Sequence, residues 1–265
     1  MRLRVHLNGR WARAPQSDDD VSSFHRTANH RTVLILLLLC CCIVFPVRAQ
    51  QQQPEDPEDE HQIGLWLDQG ISFDLSKTKS LESEFHERFD DGASNLFEYF
   101  GQAGLAFRPR PWLMLLPSYR YARYPSNPTS SYENRLLLNL TLLRTTGRWR
   151  PNFRMLTEGR FPENRIASAR LRFRPGIDYV LPLRVTRPPV LVVNDEIFVV
   201  PGTNSFSSGS AFTQNRFQTG IRLPITGYLS TRLYYMLQSV NLPVGWKNAS
   251  IFGVSVAWKA RNKNK

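Results

Sequence analysis

Past Cys42 the 265-residue sequence contains no cysteine, and the three it has, Cys40, Cys41 and Cys42, stand side by side near the start. A chain that loses this region therefore has no disulfide, thiolate metal site or cysteine nucleophile, which suits passage through an oxidising compartment. Histidine is almost as scarce, with only His61 and His86 beyond residue 49. Lysine is limited to Lys77, Lys79, Lys247, Lys259, Lys263 and Lys265, all placed in expected turns, loops or the tail; every other basic residue is arginine. A water-facing sheet uses lysine freely, so polar faces supplied with arginine point to an enclosed, ion-paired setting. There is no phosphate-binding glycine loop, dinucleotide fingerprint or metal-ligand spacing, so no cofactor or metal is expected. Gly209-Ser210-Ala211-Phe212 lacks the G-x-S-x-G frame of a nucleophile elbow.

The apolar stretch Val33–Val47 spans 15 residues, short of the roughly 20 a membrane helix needs. It follows His30 and Arg31 and precedes Val47-Arg48-Ala49, the layout of a signal peptide cut near Ala49. Leu39 before Cys40 is too large for a lipoprotein site. The polar stretch ahead of the apolar run, with Asp18, Asp19 and Asp20, is long for such a leader; a later start, for example at Val21 from a non-AUG codon, would shorten it. The expected organisation is a signal peptide over 1–49, a flexible acidic lead-in over 50–62, a β-barrel over 63–258 and a basic tail over 259–265. Beyond residue 49 remain 27 of the 34 basic and 19 of the 22 acidic side chains, a net charge of +8. An exported chain with no nucleic-acid motif gives no reason to read that charge as RNA or DNA binding.

From Ile63 the pattern has period two. Leu81, Phe85 and Phe89 alternate with Glu82, Glu84, His86 and Arg88, and Leu171, Phe173, Ile177 and Tyr179 with Arg170, Arg172, Arg174 and Asp178, as half-buried strands require. Eleven strands are expected, near 63–75, 80–89, 96–108, 112–124, 132–142, 149–161, 168–180, 189–200, 212–223, 228–239 and 248–258. Most are long enough to cross a bilayer at a tilt, which takes roughly 9 to 11 residues. The connections at 76–79, 109–111, 144–148 and 224–227 read as tight, and those at 125–131, 162–167, 202–212 and 241–247 as longer, the two-rim polarity of an outer-membrane barrel. Aromatic residues near strand ends (Phe73, Phe89, Phe107, Trp112, Tyr124, Trp149, Phe161, Tyr228 and Trp258) suit an interfacial girdle. The fold expected is thus an all-β, transmembrane, antiparallel up-and-down barrel. Even parity, with both termini on one side, gives about 12 strands, with 10 as the alternative. A secreted soluble barrel binding protein would also alternate, with the faces exchanged.

Charged residues that would be costly against lipid, by roughly 2 to 4 kcal/mol for an arginine at the midplane, are expected to face inward. The set is Glu82, Glu84, His86, Arg88, Glu98, Arg120, Arg135, Arg154, Glu158, Arg160, Arg170, Arg172, Arg174, Asp178, Glu196, Arg216, Arg222 and Arg232. One reading is a ladder of Arg–Glu pairs in a structural barrel or narrow pore. Another is an anion-preferring pore or cleft, because arginine outnumbers carboxylate in the set, with a small anionic solute as partner. A lipid- or lipopolysaccharide-modifying enzyme is a further alternative with His86 as its base, although no catalytic residue is assigned. Outer-membrane lipid and the barrel-insertion machinery are the other expected partners, and the bacterial outer membrane the expected location.

Several segments look familiar together: Gly64-Leu65-Trp66, SLESEFHERF at 80–89, SYRYARY at 118–124, ENRLLLNLTL at 133–142, LTEGRF at 156–161, Arg170-Leu171-Arg172-Phe173, NDEIFV at 194–199 and RLYYMLQS at 232–239. Over most of 63–258 the chain resembles a bacterial outer-membrane family designated domain of unknown function 2490. The resemblance implies a barrel and no reaction. It departs from many outer-membrane proteins at its end, where Lys259 to Lys265 follow the last expected aromatic, Trp258. The leader reading is checked by N-terminal sequencing of the exported product: Gln50 is the expected first residue, and a product retaining the three cysteines would refute cleavage at Ala49.

Overall fold

A computed structural model describes residues 62–127, 131–201, 211–243 and 245–260. The expected leader, lead-in residues 50–61 and tail residues 261–265 lie outside them. Eleven strands close a single barrel: β1 (Gln62–Asp74), β2 (Lys79–Asp90), β3 (Asn95–Arg110), β4 (Leu113–Arg123), β5 (Tyr132–Leu143), β6 (Trp149–Pro162), β7 (Ser168–Val180), β8 (Val190–Val199), β9 (Phe212–Pro224), β10 (Leu229–Leu242) and β11 (Gly245–Ala260). Each pairs with the next in antiparallel register, and β1 closes on β11 in parallel, from Gln62↔Ala249 to Phe73↔Ala260.

That parallel seam accounts for the count of eleven where even parity gave about twelve. In a meander every strand reverses the one before, so an odd number brings the first and last strands together pointing the same way. The even count presupposed termini on one side; here β1 begins on one rim and β11 finishes on the other. Gln62, expected in the lead-in, opens β1, while Lys259 and Ala260, expected in the tail, end β11.

The rims differ from expectation at three connections. Residues 243–244 alone join β10 to β11, where a loop over 241–247 was expected; Gly245, with φ of 116°, takes a conformation an L side chain rarely adopts, which lets the chain reverse so tightly. Residues 181–189 form a nine-residue connection on the otherwise tight rim. Between β2 and β3 lies a single 3-10 turn, Asp91–Ala93, with all three residues at positive φ.

The wall is apolar outside and polar or bulky inside. On β5, Leu136 and Leu138 are 59% and 51% exposed, while Glu133 and Arg135, which precede them on the opposite face, are 2% and 3% exposed. The same holds for exposed Leu233, Phe217 and Leu191 against buried Tyr234, Gln218 and Asn194. Charges on the outer face include Lys79 and Arg123 at ends of β2 and β4, Glu87 towards the other end of β2, and Asp195 in the middle of β8, where it accepts from Asn215 Nδ2 at 2.7 Å. Aromatics stand at both rims, with Trp149 tilted against Tyr179 at one and Phe212 against Trp246 at the other. Tyr124, expected in that girdle, instead turns inward, on the face already set by Arg120 and Ala122.

An eight-strand barrel is just filled by ordinary side chains; eleven strands enclose more, and the interior is filled by long ones. The β2–β8 side carries arginines and glutamates, whereas Trp66, Tyr234, Met236 and Ile251 form an apolar cluster where β1, β10 and β11 meet. Gly253 makes room for that cluster: a Cβ there would lie 1.9 Å from the Tyr234 ring, whose hydroxyl donates to Asp68 Oδ2 at 2.9 Å. Gly253→Ala should therefore displace Tyr234 and lower stability by about 1 to 3 kcal/mol, measured by urea unfolding; Ser255→Ala, lower on the same strand, is the comparison expected to cost less.

Candidate functional site

The charged interior is built from successive inner-face positions. Arg88 of β2, Glu98 of β3, Glu133 and Arg135 of β5, Arg154, Glu158 and Arg160 of β6, Arg170 and Arg172 of β7, and Glu196 of β8 meet in two connected groups. In the first, Glu98 accepts from Arg88 and lies 3.5 Å from Arg135, and Glu133 binds Arg135 at 2.9 Å and Arg160 at 2.6 Å. In the second, Glu158 holds Arg170 at 2.6 Å and Arg172 at 2.7 Å, and Glu196 holds Arg172 at 2.7 Å and Arg154 at 2.5 Å. Each glutamate thus serves two arginines. Glu158 is fully buried, so its ionised form depends on those partners.

Two further arginines of the expected set have amides in place of carboxylates. Arg120 donates twice to Gln102 Oε1, at 3.0 and 2.7 Å, and Arg216 Nε donates to Gln238 Oε1 at 2.8 Å. Both guanidinium groups lie on aromatic faces: Arg120 on Phe100 at 3.9 Å, and Arg216 on Phe198 at 4.7 Å and Trp66 at 4.8 Å. Phe100 also carries Arg88, and Phe198 also carries Arg170 and Arg172. A desolvated cation over a ring gains about 2 kcal/mol or more.

The rest of the set is dispersed. Arg222 pairs with Asp178 at 3.0 Å, and Glu82 with Arg108 at 3.1 Å, with Ser72 and Ser80 donating to the same carboxylate. Arg232 lies over Tyr234. Arg174 has a buried Nε with no hydrogen-bond partner among the described residues. His86 is held between two carboxylates, Nδ1 to Asp68 at 2.6 Å and Nε2 to Glu84 at 3.2 Å, and its ring stacks on Phe100. Both nitrogens are thereby occupied by carboxylates, and among the described residues no serine hydroxyl is bonded to either.

Glu133, Asp68, Tyr124, Gln102 and Gln238 belong to the site and were not among the expected residues. Glu133 shares a strand face with Arg135 two residues on, and Tyr124 shares one with Arg120, so strict alternation would have found both. Asp68 follows Gly64 and Trp66 at the same spacing, in a strand whose faces are obscured by its mixed composition.

Cavities open among these side chains. One of about 170 Å³ is lined by seven arginines together with Glu98 and Tyr124. Another, about 410 Å³, opens at the tight-turn rim by residues 226–230, with Glu82 and Glu84 opposed by Arg150, Arg222 and Lys259.

A family model described as "Protein of unknown function (DUF2490)" matches residues 63–249. No curated protein matches the chain. Among solved structures, the NanC porin is similar with a TM-score of 0.47 and 7% identity, over 72% of this chain and 91% of the porin. The siderophore receptor PirA from Pseudomonas aeruginosa gives a TM-score of 0.30 and 15% identity, over 67% of this chain and 35% of the receptor.

Removing a shared carboxylate should leave two buried guanidinium groups uncompensated. Glu158→Gln is expected to destabilise the barrel by about 3 to 5 kcal/mol, read as a lower urea midpoint; a variant as stable as the parent would mean that Arg170 and Arg172 are balanced elsewhere.

Proposed function

The chain belongs to the DUF2490 family, and from that footing we propose that it is a bacterial outer-membrane β-barrel that is structural or a narrow pore, its interior held by arginine–glutamate pairs. The observation that carries this reading is the inversion of polarity across the wall: leucines outside, buried Glu133 and Arg135 inside, on the same strand. A soluble barrel would need those faces exchanged, because apolar surface driven out of water is its source of stability. Hydrocarbon, by contrast, accepts the exposed leucines and excludes the charges. Strands of 10 to 16 residues suit a tilted crossing, and aromatics at both rims suit the headgroup levels.

The narrowness follows from side-chain size. Glu158 and Phe198 are fully buried and Phe100 is 1% exposed, so a water-sized sphere does not reach them, and any path through the barrel must pass beside them. The excess of arginine favours anions over cations along such a path. His86, clasped by Asp68 and Glu84, gives the lipid-modifying alternative no free base, and the barrel reading needs none.

Fractionation decides the reading. The protein is expected to sediment with outer membranes, to require detergent for release, and to migrate faster on a gel before heating than after. Recovery from the periplasm without detergent would overturn it. Leu138→Arg, placed in the apolar band, should reduce the folded fraction in bilayers, with a cost of about 2 to 4 kcal/mol.

A further inference from the structure

We propose that the arginine-lined cavity is a binding site for a small, multiply charged oxyanion of the phosphate type. Its chemistry is set by charge that the chain leaves unbalanced. Arg88, Arg120, Arg135, Arg160, Arg170, Arg172 and Arg216 line it against one lining carboxylate, Glu98. Counting the glutamates behind them and Arg154, which shares Glu196, eight arginines meet four carboxylates among the described residues. Arginine stays protonated under all ordinary conditions, so this excess cannot be relieved by loss of a proton.

Donors as well as charge remain unspent. Arg120 and Arg216, which both line the cavity, have only amides and aromatic faces as partners. A guanidinium fork presents paired N–H groups to two oxygens of one anion. A tetrahedral oxyanion supplies several such oxygens and more than one charge, whereas chloride supplies one charge and no geometry. The cavity of about 170 Å³ far exceeds the roughly 10 to 15 Å³ that a single water needs. The walls are protein on the inner side of the barrel, so a free anion is meant and not a lipid headgroup. The inference goes beyond the membrane reading, since the cavity is the same whichever solvent surrounds the barrel.

The test is titration of the purified, folded full chain with inorganic phosphate in lipid-free detergent, against sodium chloride at equal ionic strength. Saturable one-to-one binding of phosphate, at least tenfold tighter than chloride, is expected. Arg120→Gln and Arg216→Gln should each weaken it tenfold or more, while Arg222→Gln, whose partner Asp178 is elsewhere, should not. Equal weak responses to phosphate and chloride in the parent chain would overturn the proposal, and this comparison needs no variant to fold. Unchanged affinity in a folded Arg216→Gln protein would also overturn it.

Discussion

Sharing one carboxylate between two arginines is the constraint on which the interior rests. Taking a guanidinium or a carboxylate out of water costs several kcal/mol per ion, and attraction between them offsets this only with good geometry and further hydrogen bonds. Glu98, Glu133, Glu158 and Glu196 stand on four different strands, β3, β5, β6 and β8, and each accepts from two arginines. Some of these bonds join adjacent strands, such as Arg170 to Glu158, and others skip one, as Arg135 to Glu98 and Arg154 to Glu196 do. The result is a set of cross-braces that fixes the inner face from β2 to β8. A hydrocarbon core could not do this in a barrel whose apolar residues are committed to the outside.

Carboxylates alone would not suffice, and the aromatic residues supply what they lack. Phe100 and Phe198 are among the most buried of the described residues, yet both contact cations rather than an oily core. Each ring offers its negative face to more than one guanidinium. Across the seam the solution changes: Trp66, Tyr234, Met236 and Ile251 pack together, and Gly253 gives the tyrosine the space it occupies. Arg216 joins the two regimes by touching Trp66 on one side and Phe198 on the other. The inner face therefore carries the arginine–glutamate network along one arc and the apolar cluster along the other, under a mostly apolar exterior.

Most of this could be read from the sequence wherever alternation was clean. β7 is an instance: Arg170, Arg172, Arg174 and Asp178 against Leu171, Phe173, Ile177 and Tyr179 fix both its existence and its faces, and its bounds, Ser168–Val180, match the expected segment. Pairing was less legible, because period two states which way a side chain points and not which neighbour it meets. Arg172 and Arg174 look alike in sequence, but the first lies between Glu158 and Glu196 while the second has no such bond. Tyr124 was misassigned because proximity to a strand end was given more weight than its even spacing from Arg120. Closure was hidden for a different reason: no local feature encodes whether the first strand meets the last in parallel, and only the number of strands between them does.

The parallel seam and the charge excess bear on each other. In a barrel closed this way the charged arc reaches the seam itself, since Trp66, near the start of β1, contacts Arg88 and Arg216. Positive charge in a low-dielectric interior raises the local concentration of anions and repels cations over several ångströms. The mixed cavity at the tight-turn rim, where Glu82 and Glu84 face Arg150 and Arg222, has no comparable bias. An anion entering from the arginine side would therefore gain most of its stabilisation before reaching Glu158 and Glu196. Under the proposed occupancy it would have to part ion pairs to go further, so the network that would draw an anion into the cavity would also slow its onward passage.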